Sequence, residues 1–406
     1  MYTKEDLIKM FGTWSSGNVN IDKIIQESQI NNPTSNLRWI PYDNFHDTEH
    51  IADNIYYTLY SARLRNYMMD EQDCEYYGVV TLKELKDYRI DVLKFIKAIK
   101  DITIDWFNSS CFTRFFGISK NPSTQNYIIV MESHDDNIHS FLAGIFLKIG
   151  WEPKTELLYQ IIESLNILHE NNLIHCDLHS RNISMKNFEL DSLSLIIDPG
   201  LCKLSNDLTL NSDNKNNNVY GSIPYIPPEV LRGNEFTKEG DIYSFGGIMY
   251  EMATGNQPFS DQAHDTYLMI DICNGVRPKV PDMMLNLIPK CYLDLMYRCW
   301  HDDPSKRPTA QEISDIIYLR YSYNIEEEFL DGDLNRERMY KSHEQKLLRS
   351  LYNFHPQSCY ISREICTLYK LQDSLEDIKS GKCADPNLYT YYIDSEESSK
   401  CIDLKT

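Results

Sequence analysis

The hydrophobic periodicity of the chain changes near residue 150, from short strand-like runs to helical spacings, and this change restricts the fold more than any other feature. From Trp39 onward the texture is that of strands. Gly78 to Leu82 (GVVTL) reads as one strand, and Phe112 to Ile118 and Tyr127 to Met131 read as two more. The last two are joined by the turn-rich Ser119-Lys120-Asn121-Pro122-Ser123, which predicts a hairpin in a small antiparallel sheet. Past residue 150, Leu157, Leu158, Ile161, Ile162, Leu165 and Leu168 recur at i, i+3, i+4 behind Pro153, a residue suited to a first helical turn. Ile242, Phe245, Ile248, Met249 and Met252 form a second helical face closed by Gly255. Thr309 and Glu312 form a capping box that opens a third helix. A strand-rich portion ahead of a helix-rich one predicts an α+β fold with a cleft between two lobes.

Composition narrows the function. Among 406 residues, 60 acids against 40 bases leave a net charge of −20, which argues against a nucleic-acid grip and against docking on anionic lipid. The longest apolar candidate, Phe141 to Leu147, is stopped by Lys148, far short of the roughly 18 residues of a membrane span. The start, MYTKEDLIKMF, has no uninterrupted apolar segment of secretory type. A soluble cytoplasmic protein is expected. The 11 cysteines show no C-x-x-C pair, the pattern of reduced thiols.

The flanks read differently from the middle. Residues 1–38 carry a weak amphipathic helix (Leu7, Ile8, Met10, Phe11) and a second helical pattern near Ile21 to Ile25, ended by Asn31, Asn32 and Pro33. Residues 321–406 carry the acidic run Glu326 to Glu328, a helical stretch near Met339 to Leu351, and a polar end in which partial disorder is expected beyond Gln357.

The chemistry concentrates in Ile174-His175-Cys176-Asp177-Leu178-His179-Ser180-Arg181-Asn182, followed sixteen residues on by Asp198-Pro199-Gly200. Here the chain resembles a eukaryotic protein kinase, the first segment matching H-R-D-L-x-x-x-N and the second D-F-G. Val80-Thr81-Leu82-Lys83 stands for V-A-I-K, Pro227-Pro228-Glu229 for A-P-E, Asp241 to Gly246 for the start of a buried helix, and Cys299-Trp300 with Pro304 to Pro308 for the closing C-W-x-x-x-P-x-x-R-P. The resemblance implies a two-lobed kinase fold over 39–320, with a small antiparallel β lobe over 39–132 and a larger helical lobe over 133–320. It also implies roles. Asp177 would take the proton of a substrate hydroxyl, Asn182 and Asp198 would hold Mg²⁺, and Lys83 would neutralise the phosphates of ATP. The nucleotide would lie against Thr81, Met131, Glu132, Ser133 and Ser184, under a loop carrying Asn54 and Tyr57. His175 and Asp241 would support the catalytic loop, and Glu229 would pair with Arg307.

Several positions depart from the pattern. Ala52, Asn54 and Tyr57 stand where the phosphate-covering loop has glycines, so side chains fill space that backbone amides need. Phe95 stands where a Glu should hold Lys83, leaving Asp198, or at longer reach Asp91, as its partner. Cys176 removes the Arg that receives an activation phosphate, and the Asp177 charge would disfavour thiolate at a partly exposed thiol there. Pro199 replaces Phe. Thr81 and Ser184 add polarity to the adenine slot. The resemblance therefore implies weak binding of ATP and Mg²⁺, and phosphoryl transfer to Ser/Thr that is impaired or absent, as in a pseudokinase. A slow serine/threonine kinase and a scaffold that binds no nucleotide remain open, with the protein substrate or signalling partner undetermined. Gly221-Ser222 before Tyr225 resembles the segment of serine/threonine rather than tyrosine kinases, and His179, in place of the usual catalytic-loop Lys, points to the tyrosine-kinase-like group. The leader, with Thr13-Trp14-Ser15-Ser16-Gly17-Asn18 and Trp39-Ile40-Pro41-Tyr42, is similar to that of the expanded kinase-like family of arbuscular mycorrhizal fungi. Tail segments His355-Pro356-Gln357 and Tyr360-Ile361-Ser362-Arg363 share that similarity, and read equally as a docking segment or a packing strip.

Overall fold

The computed structural model describes residues 5, 8–9, 11–31, 37–53, 57–65, 77–86, 93, 96, 113, 115–133, 136–146, 148–185, 193–195, 203–204, 218–318, 327–339 and 354–388. Phe95, Asp91, Asn54 and the Asp198-Pro199-Gly200 segment lie outside them.

Strands β1 (Phe45–Asp53), β2 (Tyr57–Arg65), β3 (Tyr77–Leu85), β4 (Phe115–Lys120) and β5 (Tyr127–Glu132) form a five-stranded sheet in the order β1-β2-β3-β5-β4, each neighbouring pair antiparallel. Period-2 alternation divides its side chains. Val80, Leu82, Ile128 and Val130 join a small cluster on one face, while Leu85, Ile129, Phe115 and Ile118 join the main core. Thr81 and Lys83 share the parity of Leu85, which turns them toward the main core. The β4–β5 turn is tied down by the buried Glu84, whose carboxylate accepts from Asn121 (2.9 Å), Thr124 (2.5 Å) and Asn126 (3.0 Å).

The leader is part of this lobe. Helix α1 (Val19–Asn31) buries Ile21, Ile24 and Ile25, an i, i+3, i+4 stripe, in the main core. Behind it, the Arg38 carbonyl accepts from the Ile118 amide at 2.9 Å. Gly117 makes that approach possible: its φ is +143°, and a Cβ there would sit 2.1 Å from the Arg38 carbonyl oxygen. Gly117→Ala should therefore lower stability by about 2 kcal/mol or more. Equal chemical-denaturation midpoints for the two proteins would refute this.

The helical lobe follows the expected pattern. Helix α2 (Trp151–Glu170) buries Leu157, Leu158, Ile161, Ile162, Leu165 and Leu168. Helix α3 (Lys238–Thr254) is capped by Thr237 and ends at Gly255 in the left-handed region, φ +72°. In α4 (Ala310–Tyr318) the capping box is formed: Thr309 Oγ1 accepts from the Glu312 amide at 3.2 Å and Glu312 Oε2 accepts from the Thr309 amide at 2.7 Å. None of the helices among the described residues is long and apolar enough to cross a membrane.

The tail carries a helix over 327–339, and the helical stretch expected near Met339 to Leu351 lies, past Met339, outside the described residues. Asp333 on that helix accepts from the Trp151 amide at 3.1 Å, satisfying a donor at the start of α2. Against the expectation of partial disorder beyond Gln357, the described residues there, 358–388, are ordered. Residues 354–388 are folded onto the helical lobe, with Ile365, Thr367 and Asn387 fully buried. Strand β7 (Arg363–Cys366) pairs antiparallel with β6 (Asn218–Gly221), matching Asn218 to Cys366 and Gly221 to Arg363. The polar composition misled because this segment is stabilised by long-range backbone pairing and a few anchors, not by an apolar period of its own.

Candidate active site

The loop over 175–182 is set by Asp241, on the first turn of α3 and almost fully buried. Its carboxylate accepts from the His175 amide (2.8 Å), the Cys176 amide (3.0 Å) and His169 Nε2 (2.9 Å). Those bonds hold Cys176 at φ +67°, a conformation that costs a residue with a Cβ about 1–2 kcal/mol. The buried His175 accepts from the Asp177 amide at 3.3 Å through Nδ1, orienting the next residue. The Cys176 thiol is buried and lies 3.6 Å from the Ile174 carbonyl, in contrast to the partly exposed thiol expected. Arg307 and Glu229 form a bidentate pair at 2.7 and 2.8 Å, with Arg307 also donating to the carbonyls of His301 and Glu239.

On this frame Asp177 and Asn182 meet. Asn182 Nδ2 donates to the Asp177 carbonyl (2.8 Å) and to its Oδ2 (2.9 Å). Because both bonds need a donor, the amide orientation follows, and Asn182 Oδ1 is left facing away with no partner among the described residues. A hard oxygen held in that way suits Mg²⁺, and the second expected ligand, Asp198, falls outside the described residues.

The other carboxylate oxygen has a partner that sequence reasoning did not assign. Ser362 Oγ donates to Asp177 Oδ1 at 2.7 Å, and His179 Nε2 lies 2.9 Å from the same hydroxyl. His179 Nδ1 accepts from the Arg181 amide at 3.2 Å, so Nε2 carries the ring hydrogen and donates to Ser362. The serine's own hydrogen is thereby directed to Asp177. Gly221 borders this group, its Cβ direction pointing to within 3.6 Å of Asp177 Oδ1. The Tyr360-Ile361-Ser362-Arg363 segment stood out in the sequence as a docking segment or packing strip, but nothing local ties Ser362 to Asp177, 185 residues away.

The donor side sits on the sheet. Lys83 is buried, and its Nζ lies 3.8 Å from the centre of the Tyr57 ring. Tyr57, standing where a glycine is usual, covers the ammonium that would meet phosphates. Thr81 lies directly opposite Met131, and Val80 opposite Glu132, on adjacent strands, with Ser133 just beyond. Ser184 is buried, its hydroxyl 3.5 Å from Thr113 Oγ1. The nearby phosphate-loop residue Asn54 and both candidate acids for Lys83 fall outside the described residues.

Comparison with known proteins agrees with this geometry. The family model of the protein kinase domain matches residues 76–319. Receptor-interacting serine/threonine-protein kinase 4 of Mus musculus is 31% identical over 172 residues, 41% of this chain and 21% of that protein. The probable serine/threonine-protein kinase roco5 of Dictyostelium discoideum is 30% identical over 212 residues, 48% of this chain and 7% of that protein. A protein kinase and PP2C-like domain-containing protein of Arabidopsis thaliana is 29% identical over 193 residues, 40% of this chain and 29% of that protein. The chain thus spans less than a third of the length of each of these relatives.

Proposed function

This chain belongs to the protein kinase family, and from that premise we propose that it is a kinase-like signalling protein in which phosphoryl transfer from Mg-ATP to serine or threonine hydroxyls persists but is slow, impaired on the donor side. The observation that carries the reading is the Tyr57 ring stacked on the Lys83 ammonium, beside an Asp177–Asn182 pair whose hydrogen bonds are intact. Asp177 accepts the proton of the attacking hydroxyl. Asn182 Oδ1, with Asp198, would hold Mg²⁺, which supplies charge neutralisation at the triphosphate. Lys83 serves the same end once Tyr57 has moved aside. The Ser362 hydroxyl on Asp177 supports residual transfer over none, because the acceptor half is arranged for a serine.

Tyr57→Val should raise the affinity for Mg-ATP about tenfold, the loss of a cation–π contact of roughly 1–2 kcal/mol that competes with phosphate. Lys83→Met should abolish binding. Ligand-dependent thermal stabilisation reads both. Equal affinities in wild type and Tyr57→Val would remove the donor-side explanation, and no nucleotide binding in either would favour a pure interaction scaffold.

Within the family, the Gly221-Ser222-x-x-Tyr225 segment supports serine/threonine specificity, His179 supports placement in the tyrosine-kinase-like group, and the leader and tail motifs support the kinase-like family of arbuscular mycorrhizal fungi. The net charge of −20 supports cytoplasmic action on a protein partner rather than on nucleic acid.

A further inference from the structure

We propose that Ser362 is the acceptor of an intramolecular phosphoryl transfer, and that the phosphate it gains expels the tail from Asp177. The inference rests on the slow-transfer reading above and deepens it by naming an acceptor.

Position comes first. The β6–β7 pairing ends at Gly221 opposite Arg363, which places the preceding residue, Ser362, against Asp177. Anchors on both sides keep it there. Upstream, the His355 amide donates to the Ser260 carbonyl at 2.8 Å and the buried Tyr360 hydroxyl donates to the Pro258 carbonyl at 3.0 Å. Downstream, Asn387 brackets Cys366, accepting from its amide and donating to its carbonyl, both at 2.9 Å, and Lys370 donates to Asn218 at 2.7 Å. A hydroxyl held by contacts on either side reacts as a pre-positioned group, at an effective concentration far above that of a peptide in solution. One turnover per molecule is then within reach of a weak donor site.

The hydrogen-bond directions suit the chemistry. His179 Nε2–H donates to Ser362 Oγ and the serine hydrogen points to Asp177, which leaves one lone pair on Oγ for attack. Ser362 Oγ forms a bond to the terminal phosphorus of a magnesium-bound nucleoside triphosphate. The bond from that phosphorus to the bridging oxygen breaks, the diphosphate leaves with the electron pair, and the serine proton passes to Asp177. The product carries nearly two negative charges directly beside a carboxylate. Arg363, the adjacent cation, donates to the carbonyls of His264 and Asn387 instead. Repulsion at Asp177 opens the β6–β7 pairing and exposes the site to serine-bearing peptides of other proteins.

The test uses the full chain, treated with phosphatase and then incubated with Mg-ATP. Intact mass and peptide mapping should find a single phosphoryl group on Ser362, added at a rate independent of protein concentration. Lys83→Met and Ser362→Ala should gain none there, and Ser362→Thr should still accept. Amide exchange across 218–221 and 363–366 should accelerate after phosphorylation, and equally in nucleotide-free Ser362→Asp, while Ser362→Ala keeps the protection of wild type. Phosphate found only elsewhere, a rate that rises with protein concentration, or full protection in Ser362→Asp overturns the proposal. Binding of Mg-ATP without modification of Ser362 overturns it alone; absence of any Mg-ATP-dependent thermal shift overturns the slow-transfer reading as well.

Discussion

Arg307→Ala should cost about 3–5 kcal/mol, a large share of typical stabilities of about 5–15 kcal/mol. The guanidinium is fully buried and meets Glu229 through two hydrogen bonds of 2.7 and 2.8 Å. Removing it strands a carboxylate in a site from which water is excluded, and also vacates donors to the His301 and Glu239 carbonyls. The double variant Glu229→Gln, Arg307→Met should regain part of the loss, because no charge is then left without a partner. Urea denaturation measures both, and a single-variant loss under about 1 kcal/mol would show that the pair is dispensable.

Lys154→Met should act in the opposite direction. Lys154 sits on α2, buried, with its ammonium 4.0 Å from the centre of the Phe146 ring and 5.1 Å from that of Trp151. Burial pushes its pKa down from 10.5 to about 7; the Arg336 guanidinium adds to the depression and the Asp333 carboxylate opposes it. Between pH 7 and 10.5 the unfolded chain therefore holds a proton on this side chain that the folded chain lacks, and stability rises with pH across that window. Below pH 7 both states are protonated and the full penalty applies. An unbranched apolar replacement removes it. The gain should be on the order of a few kcal/mol at pH 6, offset in part by the lost ring contacts, and should vanish toward pH 10.5. Denaturation at the two pH values tests the sign. A variant no more stable than wild type at pH 6 would show that Lys154 keeps its charge without cost.

Much of the frame was legible because it is written in local patterns. The i, i+3, i+4 stripes of α2 and α3, the Thr309–Glu312 capping box and the β4–β5 hairpin each depend on residues close in sequence; the helices and the cap form where expected, and the hairpin forms with its turn at Asn121–Asn126, so that Ser119 and Lys120 end β4 rather than open the turn. Asp241, His175 and the Glu229–Arg307 pair were legible by resemblance, and their bonds show the physical reason: a buried carboxylate must find donors, and here they are the catalytic-loop amides and a guanidinium. The order of residues 358–388 was not legible because low hydrophobicity signals disorder only when a segment must stabilise itself. Residues 363–366 use the edge of β6 instead.

Residue order alone determined the two lobes, the loop over 175–182 and the identity of the groups proposed to face a substrate hydroxyl, since turn chemistry, helical period and motif spacing are short-range properties. Tertiary structure alone decided what touches those groups: a tyrosine ring on the Lys83 ammonium, and a serine from the far end of the chain on the Asp177 carboxylate. Contacts of that kind come from strand pairing and packing between distant segments, and no local period encodes which hydroxyl will arrive at which acid.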